Sequence, residues 1–246
     1  MLHYHGTPIT PKRELLTLGG KCFCVSFARP DNIKIVHSIG QSVLLDNGAF
    51  SVWRRNITPN WPGYYAWADK WLDYRTTWAV IPDVIDGEEE DNDRLLRQWP
   101  HKERGAPVWH LHESVDRLLK LCDTHEKVCF GSSGIFGRPK TPLWHRRVEE
   151  AFNAVAARHR VMPWIHMLRG MALSDSEYPF SSVDSTDVAR NHKERKDRGI
   201  SALDMANRWD AMQCPSSWVP SGFRRKLSRL EETVVYATES RRAWNE

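Results

Sequence analysis

Short apolar runs alternating with amphipathic stretches constrain this chain more than any other feature. The runs are 21–26 (KCFCVS), 33–37 (IKIVH), 42–46 (SVLLD), 78–82 (WAVIP), 107–111 (PVWHL), 127–131 (KVCFG), 162–168 (MPWIHML) and 180–184 (FSSVD). They are strand-length, rich in β-branched and aromatic residues, and bounded by Gly, Pro, Asp or Ser. The run 33–37 reads as a strand or as part of an irregular loop. Between strands, Val115, Leu118, Leu119 and Cys122 recur at helical spacing, and Trp144, Val148, Phe152 and Val155 do much the same. These patterns predict helices over 113–122 and 143–156. Ser114 or Glu113 opens the first, and Thr141 followed by Pro142 opens the second. Alternating strands and helices imply βαβ units on a parallel sheet. Their number suits a closed α/β barrel of the modified TIM (β/α)8 type, a single domain over 1–246. The catalytic core is expected over about residues 20–200, followed by a basic helical part with a candidate strand at 233–237 (TVVYA).

Composition narrows the class. At 41% hydrophobic residues the chain can bury a real core, and no apolar run approaches the roughly 20 residues that cross a bilayer. The opening MLHYHGTPITPKRELL lacks the apolar stretch of a signal peptide. The five cysteines, Cys22, Cys24, Cys122, Cys129 and Cys214, form no pairing framework. Reduced thiols and a cytoplasmic location without membrane attachment are therefore expected. A net charge of +4 is only mildly basic. Arg190, Lys193, Arg195, Lys196 and Arg198 form one cluster, and Arg224, Arg225, Lys226 and Arg229 another. Each reads as a phosphate-neutralising patch or as a solvated helix face.

In a parallel barrel, polar residues at the C-terminal strand ends line the catalytic mouth. The run SVLLDNGAFS delivers Asp46, then Asn47, Gly48 and Ala49, whose small size lets a ligand approach, and Phe50, which can cover a flat ring. An Asn-Gly hairpin turn is the alternative. Asp83 follows Pro82 directly, whereas Asp86 suits a cap for a helix opening at Gly87-Glu88. His110 and His112 share one strand face, a spacing that serves a metal, a substrate or the scaffold. Gly131 and Ser132 begin a Gly/Ser loop whose N–H groups can hold a carbonyl oxygen or phosphate. Asp184 closes the last run, with Ser185 or Thr186 placed to cap a helix through 188–196.

In this order on successive strands, the residues resemble the tRNA-guanine transglycosylase family, modified TIM barrels that exchange guanine for a 7-deazaguanine in nucleic acid. The family's strand ending Asp-Ser-Gly-Gly-aromatic is similar to Asp46-Asn47-Gly48-Ala49-Phe50, and its guanine-reading aspartate to Asp83. His112-Glu113 stands where the family has a Gln-Gly end, and Gly131-Ser132 where it has a Gly-Gly loop. Then follow a strand with Met167 in HMLRG (166–170) and a nucleophile segment, Asp184 with Arg190 six residues on. The resemblance spans about 42–191. It implies Asp184 as nucleophile, Asp46 as proton shuttle and Asp83 as reader of the guanine edge. Asn47, Gly48, Phe50, His112, Gly131, Ser132 and Met167 would line the base pocket. Arg190, Lys193, Arg195, Lys196, Arg224 and Arg225 would hold the polymer.

The family's C-terminal zinc motif, Cys-x-Cys-x-x-Cys with a later His, has no counterpart, since only Cys214 lies in that region. No metal and no cofactor is therefore expected. The compact form is most like the deazapurine DNA transglycosylases of phages and bacterial modification islands. DNA and a free 7-deazaguanine base are the expected partners, with tRNA as the alternative polymer. Two other classes compete: a metal-dependent amidohydrolase-like barrel using His110, His112, His166 and an aspartate, and a barrel that binds nucleic acid without turnover.

Overall fold

A computed structural model describes residues 1–220. Its parallel strands are β1 (Leu2–Gly6), β2 (Cys22–Ser26), β3 (Ser42–Asp46), β4 (Thr77–Val80), β5 (Gly105–Ala106), β6 (Val108–His110), β7 (Lys127–Gly131), β8 (Trp164–Met167) and β9 (Ser182–Ser185). They form one sheet in the order β5-β4-β3-β2-β1-β9-β8-β7-β6. The two edge strands, β5 and β6, are consecutive in the chain and separated only by Pro107. Proline has no N–H to give a ladder, so one barrel strand is divided in two there. The Pro107 carbonyl still accepts from Cys129 N at 2.8 Å. The molecule is thus an α/β, TIM-like barrel, nearly closed.

Helices occupy the longer crossovers, while that between β8 and β9 carries only a 3-10 turn at Met171–Leu173. The helices are α1 (Lys12–Leu16), α2 (Ile33–Ile39), α3 (Ala49–Arg55), α4 (Trp61–Leu72), α5 (Glu89–Gln98), α6 (Val115–Thr124), α7 (Pro142–Arg158), α8 (Asp187–Lys196) and α9 (Ala202–Asp210). Ser114 caps α6 by accepting from Arg117 N, and Thr141 caps α7 by accepting from Trp144 N. Alternation along each strand divides the core. Tyr4, Cys22, Cys24, Leu44, Trp78, Val80, Ala106, Val108 and Cys129 fill the barrel interior. Outward-facing Trp109, Phe130, Ile165 and Val183 pack against α6 and α7, and Phe23, Val25, Val43 and Leu45 against the helices of the other half.

Three local expectations change. The run 33–37 is helical, because Ile33 and Val36 bury at i, i+3 on α2. Asp86 caps nothing: Glu88 is the N-cap of α5 and forms a capping box with Asp91, while Asp86 accepts from the Trp53 indole. The Asn47-Gly48 step is a strand-to-helix turn and no hairpin. Gly48 takes φ +79 and Asn47 Oδ1 receives Ala49 N at 2.8 Å.

The first strand, LHYHG, lacks an apolar signature. Its outward His3 and His5 are buried and face Asp210 at the end of α9, at 3.7 and 3.0 Å. Arg224, Arg225 and the candidate strand at 233–237 lie outside the described residues.

Candidate active site

Strand parity brings the chemistry to one end. On β3 the interior residues are Ser42, Leu44 and Asp46, so Asp46 is the last inward side chain before the mouth. Ser26 of β2 is its register partner, and the Ser26 hydroxyl and Gly48 N–H favour its ionised form. Those groups do not offset burial. Desolvation first, then the nearby charges of Asp184 and Asp83, push the Asp46 carboxyl up to about 6.

Asp83, just past β4, is only 7% exposed and is gripped on both oxygens. Asn47 Nδ2 donates to Oδ1 at 2.7 Å, and His110 Nε2 lies 3.0 Å from Oδ2. Asn47 also bonds the Ile81 carbonyl at 2.9 Å, so its amide ties the β3 turn to the β4 exit. Behind His110, its backbone N–H donates to the buried Glu113 at 2.8 Å. Glu113 is satisfied in turn by Asn92 at 2.8 Å and Arg117 at 2.6 Å. The other ring nitrogen of His110, Nδ1, is buried with no partner among the described residues. It lies over Gly131, where an added Cβ would approach it to 2.8 Å. Gly131 is therefore required by the close approach of the imidazole from the adjacent strand.

Asp184, 9% exposed, accepts two hydrogen bonds on the same oxygen. Arg169 N donates to Oδ1 at 2.7 Å, and His166 Nε2 is 3.2 Å from it. Arg169 holds φ +55, and its guanidinium lies 3.8 Å from the Phe50 ring centroid. One face of Phe50 is thus covered by a planar cation, so a base can stack there only after Arg169 moves. The charges of Arg54, Arg190, Asp184 and Asp46 all act on Arg169, so cations and carboxylates meet around it at the mouth. Burial lowers the Arg169 pKa, which Asp184 partly offsets.

The remaining expected residues divide between the site and its surroundings. Met167 is buried in the outer core with Ile165 and Val183, because its parity is opposite to that of His166. His112 bonds Ser133 Oγ at 2.7 Å and the Gly87 carbonyl at 3.0 Å, and its ring stacks on His110. Ser132 Oγ accepts from the Trp144 indole at 2.9 Å. Arg190 sits in the first turn of α8, beside the mouth. Lys193, Arg195 and Lys196 follow down the helix, Lys196 about 9 Å further on at 1.5 Å rise per residue. Lys196 pairs with Glu14 of α1 at 2.6 Å.

Ser26, Arg54 and Arg169 were not singled out by the sequence. Ser26 had a usable signal, a polar residue ending an apolar run; the stacking of Arg169 on Phe50 had none. Among the described residues, no three His, Cys, Asp or Glu groups converge to hold a metal ion, and no helix is long and apolar enough to cross a membrane. A cavity of about 1060 Å³ opens at the opposite end of the barrel, lined by Tyr4, Trp78, Arg97, Arg104, Lys127 and Trp164 among others. It contains none of the strand-end carboxylates, and that end of such barrels serves stability rather than chemistry. The mouth thus carries three aspartates in three environments, one with its carboxyl raised to about 6, one gripped on both oxygens and one bonded on a single oxygen. No family model matches this chain, and no curated protein or solved structure does.

Proposed function

We propose that the barrel is a base-exchange transglycosylase that replaces guanine in DNA with a 7-deazaguanine such as 7-cyano-7-deazaguanine. The observation that carries this reading is the division among the aspartates. A carboxyl raised by burial suits the acid, and one oriented by donors on a single oxygen suits the nucleophile. Retention at C1′ needs two displacements. Asp184 attacks C1′ as a carboxylate, the C1′–N9 bond breaks, and its electron pair passes to N9. Asp46, its carboxyl raised to about 6 by burial, gives its proton to the departing base. The incoming base returns that proton to Asp46 as its nitrogen attacks C1′ and frees Asp184. Asp83, oriented by Asn47 and His110, offers its remaining lone pairs to guanine N1–H and the 2-amino group. The target base leaves the stack to reach such a pocket, and Arg54, Arg169 and Arg190 supply cations for flanking phosphates.

The test offers duplex DNA, single-stranded DNA and tRNA separately with labelled guanine or 7-cyano-7-deazaguanine. Label entering DNA is the expected result. Label entering tRNA alone moves the reaction to the other polymer, and no incorporation anywhere overturns the reading. Asp184→Asn should abolish incorporation while the protein remains folded by circular dichroism.

A further inference from the structure

We infer that His166 is a positioning residue, part of a directional relay that occupies Asp184 Oδ1 and leaves Oδ2 as the attacking oxygen; the second half rests on the transglycosylase reading. The relay begins at Trp164, whose indole N–H lies 2.8 Å from Ser182 Oγ. An indole nitrogen only donates, so Ser182 receives this bond. Its own hydrogen is then free for His166 Nδ1, 2.8 Å away. A ring nitrogen that accepts carries no proton, which puts the ring proton on Nε2, 3.2 Å from Asp184 Oδ1. The far end requires the same tautomer. A bare Nε2 would set its lone pair against a carboxylate oxygen 3.2 Å away, too close for a water between them, on a fully buried ring.

The other contacts of His166 fix the plane of its ring. Tyr4 and Trp78 meet it edge-on, with centroids at 5.9 and 5.2 Å. The Arg169 N–H adds a second donor to Oδ1 at 2.7 Å. Among the described residues, Oδ2 has no hydrogen-bond partner. In the proposed reaction Oδ2 forms the bond to C1′ as the C1′–N9 pair leaves with the base. The donors on Oδ1 hold the carboxylate plane, so the attacking lone pair does not rotate away.

Two measurements test this. Ring-15N histidine spectra of the wild-type protein, with His166 assigned by its loss in His166→Gln, should show a neutral ring protonated at Nε2. Ser182→Ala should let the Nδ1-protonated form appear. A wild-type ring protonated at Nδ1, or at both nitrogens, overturns the relay whatever reaction the protein performs. In the exchange assay, Ser182→Ala and Trp164→Phe should lower kcat about 10- to 100-fold with KM little changed, as misplacement of a reacting atom does. His166→Gln, which retains an N–H near the Nε2 position, should keep more activity than His166→Ala. A folded His166→Ala protein with wild-type kcat removes the positioning role. Absence of exchange by the wild type would strike the transglycosylase reading instead, and the tautomer would still decide the relay.

Discussion

Asp46 shows how one residue couples activity and stability. Its carboxyl is raised from 3.8 to about 6, chiefly by burial. The folded state therefore binds the proton more tightly than the unfolded chain, and stability falls as pH rises from about 4 to about 6. Above that window the full cost is present, about 3 kcal/mol for two pK units. Asp46→Asn removes the ionisation. It should raise unfolding stability by up to about 3 kcal/mol near pH 8, and by little near pH 4, in urea titrations. The same variant should lose about 10²–10⁴-fold in exchange rate, the usual contribution of a positioned acid–base group. A gain in stability with a loss in rate marks a strained functional residue, whereas loss of both marks a structural one. Asp83 makes a different demand, since its oxygens are oriented by Asn47 and His110. Asn47→Ala should cost about 1–3 kcal/mol of base binding or stability, with the larger effect on KM for the free base in steady-state kinetics.

Among the elements, the β6–β7 pair determines how the surroundings of Asp83 are shaped. His110 and Gly131 are register partners, and the imidazole occupies the volume a β7 side chain would fill. Gly131→Ala places a Cβ 2.8 Å from His110 Nδ1, so the ring must rotate and release Asp83 Oδ2. The expected result is weaker base binding with Asp184 chemistry retained, seen as a raised KM with a smaller change in kcat. An unchanged KM would mean that His110 does not govern Asp83. At the other side of the barrel, α9 is bound to β1 through Asp210, His3 and His5, with Lys21 adding a 2.6 Å contact. Burial lowers His3 to about 4. The unfolded chain therefore takes up the proton first as pH falls from about 6.5 to about 4, and the folded state loses stability over this window. His3→Gln should flatten the acid side of the stability curve in urea titrations across pH 4–7.

For the whole molecule, electrostatics is set by where the fold places cations rather than by how many there are. Arg54, Arg169 and Arg190 gather at the mouth from α3, the β8 exit and α8. Lys196 is spent on Glu14. If the mouth holds the polymer of the proposed reaction, its affinity should fall with salt, and Arg190→Ala should reduce the slope of log K against log salt by about one. Lys196→Ala should leave that slope nearly unchanged and register instead as a small loss of stability. Fluorescence anisotropy over a salt series with labelled single-stranded DNA reads both outcomes. Equal effects of the two variants would move the polymer track onto α8.

The alternation of apolar runs was enough to predict the parallel barrel, because strand period and crossover length are local properties of the chain. The positions of Asp46, Asp83 and Asp184 at strand ends were legible for the same reason. Side-chain direction within a strand was legible only where parity was applied, and Met167, one residue from His166, faces the outer core as a consequence. Tertiary structure alone decided the partners. His110 meets Asp83 across 27 residues, His166 meets Asp184 across 18, and His5 meets Asp210 across 205. No local pattern encodes such pairs, since hydrogen bonds and desolvation depend on distance in space. The physical differences among the three aspartates arise from those neighbours, which closing the barrel brings together.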